Sequence, residues 1–175
     1  MISFPQMRLK TGRATHAMVS TNDELYVLGG YTVKNDKEVN LYDCEVINVE
    51  KKTDTNIPSM KIARTNPIAC IFDGRIYAIG GCDENHRKLS DVETFSFATR
   101  TWTSFSQTRV PRYGHSACVM DGKLFVVGGQ STESIEYYCP RKRGALSKIL
   151  PSKQSKWVFL QYLAVKSWGS VVIPI

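Results

Sequence analysis

The chain writes one short stretch three times, and each copy stops at a pair of glycines. The copies are residues 24–30 (ELYVLGG), 75–81 (RIYAIGG) and 123–129 (KLFVVGG). In each, a charged residue opens a five-residue run that is otherwise apolar and carries one aromatic. Such a run is too short for a helix and rich in strand formers, so three buried strands are expected. The paired glycines suit a chain leaving a strand where other backbone crowds it, because they lack a Cβ and tolerate positive φ.

The spacing turns three strands into an architecture. The doublets fall at 29/30, 80/81 and 128/129, and self-similarity at such a period marks a propeller blade or solenoid unit. A shift of 48 also places Asp43 on Asp91, Thr53 on Thr101, Arg64 on Arg112, Cys70 on Cys118 and Asp73-Gly74 on Asp121-Gly122. Arg13 and His16 fall on Arg112 and His115 at a shift of 99. Asp-Gly between apolar runs is a strong hairpin signal, and Asn22-Asp23 takes that place in the first copy.

The formal charge of +7 raises the question of nucleic acid, and its location answers it. Residues 1–136 hold 16 Lys/Arg against 16 Asp/Glu, so the whole excess lies in the last 39 residues. The basic stretch there has no interleaved aromatics, and neither nucleic-acid nor membrane binding is expected. A tail anchor over residues 157–175 is disfavoured by Lys166 near its middle, at a cost of about 2.5–3.5 kcal/mol. The N-terminus lacks the apolar core of a secretory signal. Five cysteines with no CxxC pair read as free thiols, Cys70 and Cys118 as small buried hydrophobes, in keeping with a cytoplasmic or nuclear protein.

Taken in order, residues 1–12 read as the end of a preceding unit or a linker. Units of four strands follow at 13–60, 64–108 and 112–162. Each has an inner hairpin, a loop after the doublet, and an outer pair; in the first unit the loop is polar and runs from Tyr31 to Asn40. The third unit carries a basic insertion at 140–156, after which Trp157 resumes the outer strand. Residues 163–175 read as a partial strand of a further unit or a divergent tail.

These residues resemble the kelch repeat. Its marks are the glycine doublet, the Asp91-Val92-Glu93-Thr94-Phe95 and Ser134-Ile135-Glu136-Tyr137-Tyr138 runs, and Trp102. The first unit has Asp54 where the Trp belongs, so its outer strand should be looser. The resemblance implies an all-β chain, a partial kelch β-propeller of about three four-stranded blades with incomplete ends. It also implies a protein-interaction module: a client adaptor that reaches cullin-3 through a BTB region absent from this chain, or an actin-binding scaffold. A kelch-propeller enzyme is the remote alternative, and no catalytic, metal or cofactor motif is visible.

Recognition on a rigid scaffold usually sits on loops. The loops entering each unit bring Arg13, Arg64 and Arg112, with Tyr113 beside the last. Those after each doublet bring Tyr31, Tyr42, His86, Ser90, Asp91 and Ser134. Three equivalent arginines would offer guanidinium forks suited to carboxylates, and the resemblance implies an acidic peptide motif of a client. The other reading of each arginine is a structural pairing with an Asp or a backbone carbonyl of a neighbouring blade.

Overall fold

The computed structural model describes residues 8–130, 132–140 and 157–162. Among them there is no helix, and the strands form three four-stranded antiparallel sheets. The first contains β1 (Ala17–Ser20) and β2 (Glu24–Leu28), then, after a separate ribbon of β3 (Tyr31–Lys34) and β4 (Lys37–Asn40), β5 (Cys44–Asn48) and β6 (Thr53–Ile57). The second runs β7 (Ile68–Phe72), β8 (Arg75–Ile79), β9 (Val92–Ser96) and β10 (Thr101–Ser104). The third runs β11 (Ser116–Met120), β12 (Lys123–Val127), β13 (Ser134–Tyr138) and β14 (Trp157–Tyr162). Inner strand lies beside inner strand, β1 against β7 and β7 against β11. The expected residues 1–7, most of the basic insertion (141–156) and the tail 163–175 lie outside the described residues.

Alternation within each strand decides how the sheets stack. Along β8, Ile76 and Ala78 point to the first sheet while Tyr77 and Ile79 point to the third, so both faces are apolar because each meets another blade. Tyr26, Leu28 and Val46 of the first blade close one core with Phe95 and Trp102 of the second. Tyr77 and Val92 close the other with Leu124, Tyr138 and Trp157. Burial of each such side chain stabilises by about 1.5–3 kcal/mol. Each indole also reaches back to the preceding blade's exit: Trp102 donates to Pro58 O at 2.8 Å and Trp157 to Ser106 O at 2.8 Å. In the first blade Asp54 takes that place and pairs instead with Lys10 at 3.7 Å.

The doublets are glycine because two other stretches of backbone press on them. A Cβ on Gly80 would lie 2.4 Å from Arg112 O, and one on Gly81 would lie 2.5 Å from Thr65 O, at φ of +59° and +97°. That closeness is used: Gly81 N donates to Arg112 O at 2.9 Å, stitching blade two to the chain entering blade three, as Gly30 N does to Arg64 O one blade earlier.

Two expectations change. Residues 31–40 are a hairpin rather than a loop, because Asn35 and Asp36 both take positive φ, 50° and 58°, and close a two-residue turn whose twist suits the flanking strands. Cys70 and Cys118 are half-buried rather than sealed, Cys70 lying at the margin of the second core and Cys118 opposite the half-buried Phe125; all five cysteines are free.

Gly80→Ala should therefore cost far more stability than Gly74→Ala, which has positive φ but no atom within 4 Å. The second should lose about 1–2 kcal/mol by urea unfolding. The first should lose that plus the stitch to Arg112; equal losses would mean the crowding is not felt.

Candidate interaction face

Beneath the loop face, each blade builds the same buried clasp from one glutamate and one arginine. Glu93 on β9 accepts Lys61 N at 2.7 Å, Ile62 N at 3.1 Å and Arg64 Nη2 at 2.9 Å. Glu136 on β13 accepts Arg109 N at 2.6 Å, Val110 N at 3.0 Å and Arg112 Nη2. Glu45 on β5 accepts Lys10 N at 2.8 Å, Thr11 N at 3.3 Å and Arg13 Nη2. The other arginine nitrogen reaches backbone carbonyls: Arg64 Nη1 donates to Gly80 O and Asp91 O at 2.8 and 2.9 Å. Arg112 Nη1 does so to Gly128 O and Ser134 O, and Arg13 Nη1 to Gly29 O and Asp43 O. The carboxylate thus pins the incoming linker, and the guanidinium locks that linker to the glycine doublet.

This geometry corrects the reading of the arginines as forks offered to a partner. The side chains of Arg13, Arg64 and Arg112 have no exposed surface, and their acceptors lie in the blade each one enters. Burial pulls the Arg64 and Arg112 guanidinium groups below their ordinary pKa, against the pull of Glu93 and Glu136. Ser134 is withdrawn as well, fully buried with its hydroxyl accepting from Arg112 Nη2 at 2.8 Å. Asp91 and Ser90 are half-buried; the Asp91 carboxylate accepts from Gln107 Nε2 at 3.0 Å, and Ser90 O receives the Thr108 amide and hydroxyl.

The remaining predicted residues come together on one edge. Isolated bridges join Ala14 to Tyr31 and Thr65 to Cys82, and Gln130 N donates to Tyr113 O at 2.9 Å. Side chains continue the row from blade to blade, Asn40 Nδ2 to Cys82 O at 3.3 Å and Lys88 Nζ to Gln130 O at 2.9 Å. Lys88 also lies over the Tyr113 ring, 5.8 Å from its centroid, leaving Tyr113 half-buried. Tyr31 is half-buried, Tyr42 is 52% exposed and His86 is exposed. The sequence reading did not single out Val33 and Val39, exposed on the ribbon, or Arg87, which pairs with Asp83 at 3.1 Å. A two-residue Asn35-Asp36 turn between strand-like letters was the available signal. Among the described residues no group of His, Cys, Asp and Glu could hold a metal ion.

His115, which aligns with His16 two repeats earlier, could have served as a hydrogen-bonding group beside Arg112. It is instead packed: among the described residues neither ring nitrogen has a partner, and Cε1 would lie 3.0 Å from a Cβ on Gly80. Burial, with a smaller push from Arg112, drives its pKa down to about 3.

Stacked four-stranded sheets with a loop edge define a propeller-type repeat module. The model of the family described as the KLHDC2/KLHL20/DRC7 Kelch-repeats domain matches residues 9–158, and the chain belongs to the kelch-repeat family. Among its relatives in Arabidopsis thaliana, F-box/kelch-repeat protein At4g33900 is 34% identical over 82 residues, 42% of this chain and 22% of its own length. F-box/kelch-repeat protein At4g19865 is 37% identical over 78 residues, 45% of this chain and 18% of its own length. The matched part is about a fifth of these relatives. A solved kelch propeller, "Structure of YjhT", superposes at a TM-score of 0.71 and 13% identity over 87% of this chain and 52% of the other, which shows the fold.

Two outcomes follow. Glu93→Ala strands a buried guanidinium and two linker amides, and should destabilise by about 3–5 kcal/mol in denaturant titration; a loss under 1 kcal/mol would mean the clasp is idle. His115 binds its proton in the unfolded chain near pH 6.5 but in the folded chain only near 3. Stability should therefore fall as pH drops through that window and not depend on this group above it. His115→Gln should flatten the slope between pH 6.5 and 4 measured by thermal unfolding; an unchanged slope would contradict it.

Proposed function

We propose that this chain is a non-catalytic recognition module that holds a segment of a client protein on its loop edge. The observation that carries the reading is the row of loops fastened blade to blade, with Tyr42, His86 and the β3–β4 ribbon exposed above the buried clasps. Rigid anchoring below and exposed aromatic and polar side chains above are what polypeptide recognition requires. With the arginines consumed inside the blades, contact falls to Tyr31, Tyr42, His86 and Tyr113 rather than to a ring of cations. Preference for an acidic motif therefore loses its physical basis.

The F-box in the names of the relatives supports placing the module in a ubiquitin-ligase adaptor. That favours an F-box setting over the BTB and cullin-3 setting suggested by the resemblance. The kelch part would select the client and the rest of such a protein would connect it to the ligase.

Capture of cell proteins on the immobilised chain, identified by mass spectrometry, checks this. Tyr42→Ala with His86→Ala should reduce the recovered client at least severalfold with no change in melting temperature. Glu50→Ala, exposed on the opposite edge, should leave recovery unchanged. Loss from both variants, or from neither, would remove the loop edge from the site.

A further inference from the structure

One strand edge on the loop side is left open, and its backbone and charges define what fits against it. Tyr31 exchanges both of its backbone hydrogen bonds with Ala14, at 2.9 and 3.0 Å, so its N–H and C=O point away from β4. Alternation then makes Thr32 and Val39 bond to each other across the ribbon, and turns the backbone groups of Glu38 and Asn40 outward from β4. Among the described residues neither Glu38 nor Asn40 has a backbone partner on that side. The edge is held in shape: Asn35 and Asp36 set the turn above it, while at its root Asn40 reaches Cys82 O and Leu41 N donates to Gly30 O at 2.8 Å. An extended peptide adds to such an edge without rearranging it. Charge limits which peptide. Lys34 and Lys37 are paired across the ribbon on one face, both exposed, where like charges directly opposite repel. Val39, 38% exposed, shares that face, and the exposed Glu38 stands on the other. Neither lysine forms an ion pair among the described residues, and nor does Glu38.

We propose that a segment of the client docks as an extra strand on β4, antiparallel to it, and that in its own chain direction it reads apolar, basic, acidic, facing Val39, Glu38 and Lys37 in turn. The residue opposite Glu38 exchanges both backbone bonds with it and brings the cation that this carboxylate lacks. Of its two neighbours, the acid relieves the lysine pair and the apolar side chain covers Val39. A charged edge turns away strands of other patterns, so the groups that keep the ribbon from pairing at random also supply the selectivity. The pattern alternates in charge rather than being acidic throughout, in keeping with arginines that are consumed inside the blades. The inference rests on the loop-edge reading above and adds the mode of contact to it.

A blocked peptide of sequence Thr-Thr-Val-Arg-Asp-Thr-Thr, titrated into the full chain and followed by backbone amide shifts in solution, tests it. The amides of Glu38 and Asn40 should move first and furthest. Methylating the peptide's Arg nitrogen, which points at β4, should weaken binding about tenfold or more, whereas methylating its Asp nitrogen, which points away, should change it by less than about twofold. Glu38→Lys should lose the peptide to the same degree, and replacing the peptide's Arg with Glu should restore it. Glu38 is exposed and takes no part in a clasp, so this variant keeps its fold, which unchanged amide shifts outside the ribbon verify. Equal weakening by the two methyl groups, no restoration by the exchanged charge, or shifts confined to other loops would each overturn strand addition. A client whose recovery depends on Tyr42 and His86 but not on Glu38 would overturn it too, while leaving the loop edge as the site.

Discussion

Everything in this arc depends on a carboxylate buried in the third strand of each blade. A buried charge is tolerable only when its lone pairs are taken up, and Glu45, Glu93 and Glu136 are each engaged by two linker amides and one guanidinium. The net gain of such a pair over an apolar one is small, but losing one half is costly. Its contribution is therefore registry: the chain leaving one blade can enter the next only where the carboxylate waits. The glycine doublet belongs to the same device, because the linker locked by the clasp runs against it too closely for any Cβ.

Registry is what links the fold to recognition. With each incoming linker fixed beneath, the loops above are held in order, and Asn40 and Lys88 tie each to the next. Their exposed side chains are free to differ from blade to blade without disturbing the stack. A ribbon fills the first gap, an Asp83–Arg87 turn the second, and a short connection the third. The module thus separates a repeated structural layer from an unrepeated contact layer.

That separation also explains what the sequence disclosed. Strands, turns and doublets were legible because they recur at one shift and rest on local chemistry, and Trp157 resumed the pattern after the basic stretch to pair as the fourth strand. The partners of the arginines were harder to see. Glu45 and Glu93 are 48 residues apart, but Glu136 follows Glu93 by only 43 because the third loop is shorter, so no single shift aligns all three with their arginines. A charged residue repeated near a loop then read as a contact for a partner, when only the three-dimensional path of the linker shows it facing inward. The β3–β4 ribbon was missed for a different reason: Val33 pairs with Glu38 and Val39 with Thr32, so its valines fall on opposite faces, both exposed, and no single apolar face marks it.

Amide hydrogen exchange at Lys61 and Ile62 tests the central claim most directly. These residues lie in a linker, the first exposed and the second half-buried, and outside any strand, so local structure gives them little reason for protection. If Glu93 pins the linker, both amides exchange as slowly as those of the neighbouring strands, and Glu93→Gln, which keeps the shape but weakens the acceptor, speeds them selectively. Exchange at the rate of an unstructured chain in the unmodified protein would contradict the account.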